Sequence, residues 1–276
     1  MRRFKEFENK DPAFWAVVRY VSERLKYTYA GLAKSYSINA IEKALAKNDF
    51  SIDGQQIASV HKYLNKRADL LNKDFESNLM DAEAAKIEFD KLFIEHQDGK
   101  YTSKIPYNKQ SGDKKQISYF AAMVNILAEK AIRESGKNVD GIGFSGDPRS
   151  LVYILDSDRR LIGSSSRRYD GAFPSLINPL IIWEVKEYYY TTTFGSRIAD
   201  GVYVSQLDGF EFREIKKFTG KHVEHVYFID AYNTWWVKGK PYLCRIVDAL
   251  NIGLVDEVIV GREVLTRWPQ LIKSFL

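Results

Sequence analysis

The first half of the chain carries a helical period. Phe14, Val17, Val18, Val21 and Leu25 recur every three to four positions and so share one face of a helix. Asp81 precedes the helix-forming run Ala82-Glu83-Ala84-Ala85-Lys86 and suits an N-cap, and Ile87, Leu92 and Ile94 extend an apolar side. The stretch from Asp11 to about Glu134 therefore reads as mainly helical. Within it, the window Tyr29 to Phe50, with its Ala-rich run from Ile38 to Ala46, has the size of a small helix-turn-helix, although ordinary helix packing writes the same pattern. Pro106, Gly112 and neighbouring lysines mark a loop before the amphipathic segment Ile117 to Arg133.

From Asn138 onward the pattern changes. Gly141, Gly143, Gly146 and Pro148 indicate a loop leading into strands. The apolar run Leu151 to Leu155 is followed by the acidic turn Asp156-Ser157-Asp158 and by two strand-like stretches that carry Asp170 and Glu184. A helical stretch runs from about Ser196 to Lys217, then a strand from Val226 to Asp230. Tyr242 to Leu250 reads as a helix after the turn Gly239-Lys240-Pro241, Val255 to Val260 as a last strand and Glu263 to Phe275 as a last helix. The expected architecture is α/β: a mainly helical region over residues 1–115 leading, without a clear linker, into a mixed core over 116–276. There is no internal repeat and no low-complexity segment.

Composition narrows the classes. A chain of 276 residues, 45% hydrophobic and 14% aromatic, can bury a large core and is globular. No apolar run nears the roughly 20 residues a membrane span needs. Met1-Arg2-Arg3-Phe4-Lys5-Glu6-Phe7 lacks the apolar stretch of a signal peptide. Cys244 is the single cysteine, which excludes disulfides within the chain and thiolate zinc clusters. A cytoplasmic protein is expected.

Net charge is +5, and its placement matters more than its size. Lys100, Lys104, Lys109, Lys114 and Lys115 share one segment with a single acid, Asp113, and with Tyr101 and Tyr107; Arg159, Arg160, Arg167 and Arg168 flank the Asp170 stretch. Such clusters neutralise phosphates, and solvated loops carry them too.

The candidate chemistry lies in Tyr169-Asp170-Gly171-Ala172-Phe173 and Ile181-Ile182-Trp183-Glu184-Val185-Lys186. On a strand Glu184 and Lys186 point to one face and Trp183 and Val185 to the other. If Pro174 to Pro179 turns an antiparallel pair, a register centred near Ile177 sets Asp170 opposite Glu184, with Cβ atoms roughly 5 Å apart. Two carboxylates that close repel, and a divalent cation relieves the repulsion; hard oxygen ligands suit Mg²⁺.

At these residues the chain resembles the PD-(D/E)XK nuclease superfamily, over about Ile117 to Val260. The name's Pro is absent, since Tyr169 stands before Asp170. The resemblance implies a restriction-endonuclease-like mixed β-sheet core flanked by helices. It implies Mg²⁺ held by Asp170, Glu184 and the Val185 carbonyl, with Lys186 orienting the attacking water and steadying charge on phosphorus. An acid from the preceding helix, Glu129 or Glu134, is a further expected ligand. Among relatives a type II restriction endonuclease fits best: a homodimer cutting a specific double-stranded DNA site, with the helical region serving recognition or dimerisation and Arg197 and Arg213 facing DNA or a partner subunit. The alternatives are a phage-defence or repair nuclease that recognises DNA structure, and a nucleic-acid-binding module without chemistry.

Other signals are weaker. Gly141-x-Gly143-x-x-Gly146 matches a dinucleotide fingerprint, but a polar stretch precedes it and a strand follows, so no nucleotide cofactor is expected. His222 and His225 read as surface histidines of a charged loop, and Cys244 as core. Tyr188-Tyr189-Tyr190 and Thr191 to Thr193 could stack on bases, or simply edge a strand and cap a helix.

Overall fold

The computed structural model describes residues 1–108, 116–136, 143–190 and 196–276. In chain order the helices and strands are α1 (Pro12–Leu25), β1 (Thr28–Tyr29), β2 (Leu32–Ala33), α2 (Ile38–Ala46), α3 (Gly54–Leu70), α4 (Glu76–Asn78), α5 (Ala82–Asp98), α6 (Tyr119–Glu134), β3 (Ser145–Gly146), β4 (Tyr153–Leu155), β5 (Leu161–Ser164), β6 (Gly171–Phe173), β7 (Ile181–Glu187), α7 (Ser196–Thr219), β8 (Glu224–Asp230), α8 (Lys240–Ile252), β9 (Glu257–Val260) and α9 (Val264–Lys273).

Local chemistry explains where the N-terminal helices begin. The side chains of Asp11, Ser37, Asp53 and Asp81 accept hydrogen bonds from the backbone N–H groups of Phe14, Ala40, Gln56 and Ala84. Each satisfies a donor that the first helical turn leaves open. Phe14, Val17, Val18 and Val21 are buried as their spacing predicts, against Ile57, Val60, Tyr63 and Leu64 of α3. Ile87 and Ile94 depart from expectation: both are exposed, and α5 buries Ala85, Phe89 and Leu92 instead. The window from Tyr29 to Phe50 holds strand residues and a single helix, so no helix-turn-helix lies within it.

The core sheet has five strands in the order β3-β6-β7-β8-β9. β3, β6 and β7 are antiparallel, whereas β8 lies parallel to β7 and β9 parallel to β8. β4 and β5 form a separate pair, so the apolar run Leu151 to Leu155 is not part of the main sheet. A parallel strand must be covered on both faces. Along β8, Val226 and Phe228 enter one core with α6 and α9, while Tyr227 and Ile229 enter the other with α7 and α8. The result is a helix–sheet–helix sandwich, with the first three helices packed at its side. No helix among the described residues is long and apolar enough to cross a membrane.

The register of β6 on β7 is Gly171 to Trp183, Ala172 to Ile182 and Phe173 to Ile181. It is centred on Ile177, as the residue pattern predicts, and carries Asp170 to the place opposite Glu184. Gly171 is required here, because a Cβ at this position would lie 2.0 Å from the Trp183 ring. Trp183 cannot yield, being packed edge-on against Trp268 at 5.2 Å in the α6 layer. Gly171→Ala is expected to destabilise the fold by about 1–3 kcal/mol through overpacking, seen as an earlier midpoint in a urea titration. An unchanged midpoint would show that the indole has room to move.

Candidate active site

Asp170 immediately precedes β6, and Glu184 and Lys186 lie on β7. Asp170 is half-buried; Glu184 is 6% exposed. The Lys186 ammonium donates to Glu184 Oε1, and the Arg167 guanidinium donates to Glu184 Oε2 at 3.0 Å. Arg167 also grips Asp208 of α7, with Nε to Oδ1 at 2.8 Å and Nη2 to Oδ2 at 2.5 Å, and lies over the Tyr169 ring. Asp170 accepts from the Val185 N–H at 2.8 Å. That bond closes the edge of β7 where β6 has ended. The N–H and C=O of one strand residue point to the same edge, so the Val185 carbonyl is directed toward the Asp170 side as well.

The electrostatics follow from these contacts. Burial, and then repulsion from Glu184, push the Asp170 carboxyl up to about 7 against the pull of Lys186, the Val185 N–H and Arg167. Burial would raise Glu184 too, but Lys186 and Arg167 outweigh it and hold that carboxyl below its ordinary value. For Lys186, burial favours the neutral amine, yet Glu184 prevails and raises its pKa. The pair is thus split into one firmly ionised carboxylate and one that titrates near neutrality.

On the other face of β7 a cavity of about 170 Å³ is lined by Asp170, Asp147, Trp183, Val185, Glu187 and Asn125 among others. Glu187 is buried there and accepts from the N–H groups of Phe120 and Ala121 at 2.7 and 3.2 Å, so it caps α6. Asp147 donates its N–H to the Asp170 carbonyl at 2.8 Å. A larger cavity of about 520 Å³ adjoins across Gly146 and includes Lys104, Arg149, Ser103 and Glu129 in its lining.

The structure therefore brings Asp170, Glu184, Lys186 and Val185 together and leaves the two candidate helix acids elsewhere. Glu129 accepts from the N–H groups of Thr102 and Ser103 and from Arg133. Glu134 pairs at the surface with Lys273. Arg213 of α7 donates to the Ile252 carbonyl at 3.0 Å; the Arg197 side chain, Lys109, Lys114, Lys115, Gly141 and Thr191 to Thr193 lie outside the described residues. Tyr189 donates to Asp230 at 2.5 Å, a structural contact at the sheet's end. Cys244 is buried in the α8 core as expected. Asp208, Asp147 and Glu187 carried no sequence signal, since each acts through a partner at least 23 residues away. The one available hint was Arg167, three residues before Asp170.

The two histidines part company. His222 is in a loop, 3.3 Å from Glu224 and 3.8 Å from Asp256. The three form a group able to hold a cation, although Arg3 already pairs with Asp256. His225 is a correction: it is 1% exposed on β8, not at the surface, because the strand lies between β7 and β9.

A family model described as a domain of unknown function, DUF7687, matches residues 80–275, and a second, DUF7690, described in the same words, matches residues 1–74. No curated protein and no solved structure matches the chain.

Proposed function

The chain belongs to the DUF7687 family, and we propose that it is a Mg²⁺-dependent endonuclease of the PD-(D/E)XK kind, acting on double-stranded DNA as a homodimer in the manner of a type II restriction enzyme. One observation carries the reading. Asp170 stands opposite Glu184 across an antiparallel pair, Lys186 binds Glu184, and the order α6, β6, β7, α7, β8 surrounds them. The donor set suits the metal: two carboxylates and the Val185 carbonyl are hard oxygens at one strand edge. Each Glu184 oxygen has a second lone-pair site beyond its cation.

Bound Mg²⁺ would supply an acidified water and neutralise charge at phosphorus. The chain's own residues do the rest. Lys186 holds a positive charge where the phosphate gains negative charge. Arg167, fixed by Asp208, keeps Glu184 ionised and oriented. Lys104 and Arg149 line the adjoining cavity with the charge that a nucleic-acid backbone needs. Incubating the protein with plasmid and phage DNA, with Mg²⁺ or with EDTA, tests the reading. Discrete Mg²⁺-dependent bands support it; a smear favours a structure-directed defence or repair nuclease. Salt-sensitive DNA binding without cutting favours a binding module, for which the two cations already on Glu184 speak.

The raised Asp170 pKa sets a pH dependence. Between its ordinary value near 4 and about 7, the folded state holds a proton that the unfolded state has lost. Stability from this group is therefore present below pH ~4 and is lost as pH rises toward 7. Metal binding needs the carboxylate and runs the other way. Mg²⁺ affinity, read by calorimetry, is expected to rise about tenfold per pH unit below 7 and level off above it. A flat profile between pH 5 and 8 would remove Asp170 from the metal site.

A further inference from the structure

α7 is apolar on two opposite sides. Its inner face carries Ile198, Val202 and Phe212 into the cores, and Gly209 approaches β9's leading loop so closely that a Cβ would meet the Leu254 carbonyl at 2.2 Å. Its outer face leaves Leu207 67%, Tyr203 49% and Phe210 47% exposed. Large apolar side chains aligned and exposed on one helix face mark an interaction surface.

The outer stripe is Asp200, Tyr203, Leu207, Phe210, Glu214 and Lys217. Its spacing of three, four, three, four and three is that of a helix-pairing seam. The residues also mirror one another about the point between Asp208 and Gly209. Laid antiparallel on itself, the stripe sets Leu207 against Phe210 at the centre, Tyr203 against Glu214 beyond it, and Asp200 against Lys217 at each end. Apolar meets apolar, a phenol meets a carboxylate, and an acid meets a base, each twice. Within one chain the Lys217 ammonium meets Glu214 at a loose 3.9 Å and lies over the exposed Phe218 ring at 5.3 Å.

We infer that this face is where two copies of the chain join, antiparallel along α7 with the two-fold axis at Asp208 and Gly209. The two-copy part of the function proposed above rests on this surface, whereas the seam itself does not rest on nuclease chemistry. Asp208 lies on the opposite side of the same turn and holds Arg167 beside Glu184, so α7 stands between the seam and each site.

Sedimentation of the full chain tests the inference, with DNA cleavage measured separately. The wild type is expected to be a dimer. Asp200→Lys and Lys217→Asp, each placing like charges together twice, are expected to weaken it on the order of tenfold each. The double variant Asp200→Lys/Lys217→Asp should restore it, which no fold defect could do. Phe210→Asp should give a monomer with an unchanged circular dichroism spectrum. A monomeric wild type, or a dimer indifferent to all three charge variants, overturns the seam. A dimer that behaves as expected but cuts nothing overturns only the nuclease reading.

Discussion

Lys186→Ala is expected to lower Mg²⁺-dependent DNA cleavage by about 10²–10³-fold while leaving DNA binding within a few-fold of wild type. The Lys186 side chain is 16% exposed and its ammonium is bound to Glu184, so the charge is held at one point rather than sweeping through solvent. A charge fixed in advance, in a place largely closed to water, stabilises a transition state without reorganising. Removing it does not leave Glu184 uncompensated, because Arg167 still donates to Oε2. The fold should survive, with a melting temperature a few degrees lower. Glu184→Gln is the companion: it keeps the side chain's size but removes the charge proposed to hold the metal and leaves two cations facing an amide. Its expected signature is loss of both cleavage and Mg²⁺ binding, together with a larger stability loss than Lys186→Ala. Wild-type-level cutting by Lys186→Ala would end the nuclease assignment. Loss of stability in both variants, with no metal binding in the parent, would make the cluster a buried ion-pair knot that ties β7 to α7.

How much of this was legible in the sequence depends on how local the cause was. The β6–β7 register could be read because Gly171, the two prolines of the turn and the apolar residues all lie within one short segment, and a one-residue slip would put Trp183 and Phe173 on opposite faces. The boundaries of α6 and α7 were legible for the same reason. His225 was misread because Lys221, His222 and Glu224 give the start of β8 a loop-like charge. The strand is nonetheless buried, since β9, more than 25 residues later, covers its edge. Ile87 and Ile94 read as a core face, but the partner of α5 is α6, and that helix meets the side bearing Phe89 and Leu92. The site divides likewise. Asp170, Glu184 and Lys186 sit on one hairpin, and spacing brings them together. Arg167's grip on Asp208 and Glu187's cap on α6 are set by how whole elements pack, which no short window records.

The second large effect lies far from the site. Arg67 of α3 is 1% exposed, and its Nη1 donates to both Asp248 oxygens, at 3.0 and 2.9 Å, across to α8. Tyr63 donates to Asp248 at 2.6 Å, and Arg67 Nη2 donates to Ser22 at 3.0 Å. Burial opposes the Arg67 charge, yet the facing carboxylate outweighs it and raises its pKa. This closed network joins the segment 1–74 to the segment 80–275. Asp248→Ala leaves a buried guanidinium that keeps the Ser22 hydroxyl and the Tyr27 ring but has lost its facing carboxylate, at a cost of about 3–5 kcal/mol. Against a total stability of about 5–15 kcal/mol, that is a large share, and the melting temperature should fall by on the order of 10 °C. Because such pairs owe more to avoiding an unpaired charge than to net attraction, Arg67→Met/Asp248→Leu should regain most of the loss. Calorimetry of the three proteins decides the matter. If Asp248→Ala melts with the wild type, water reaches Arg67 and the network is not what locks α3 to α8; if the double variant is worse than the single one, shape rather than charge holds the joint.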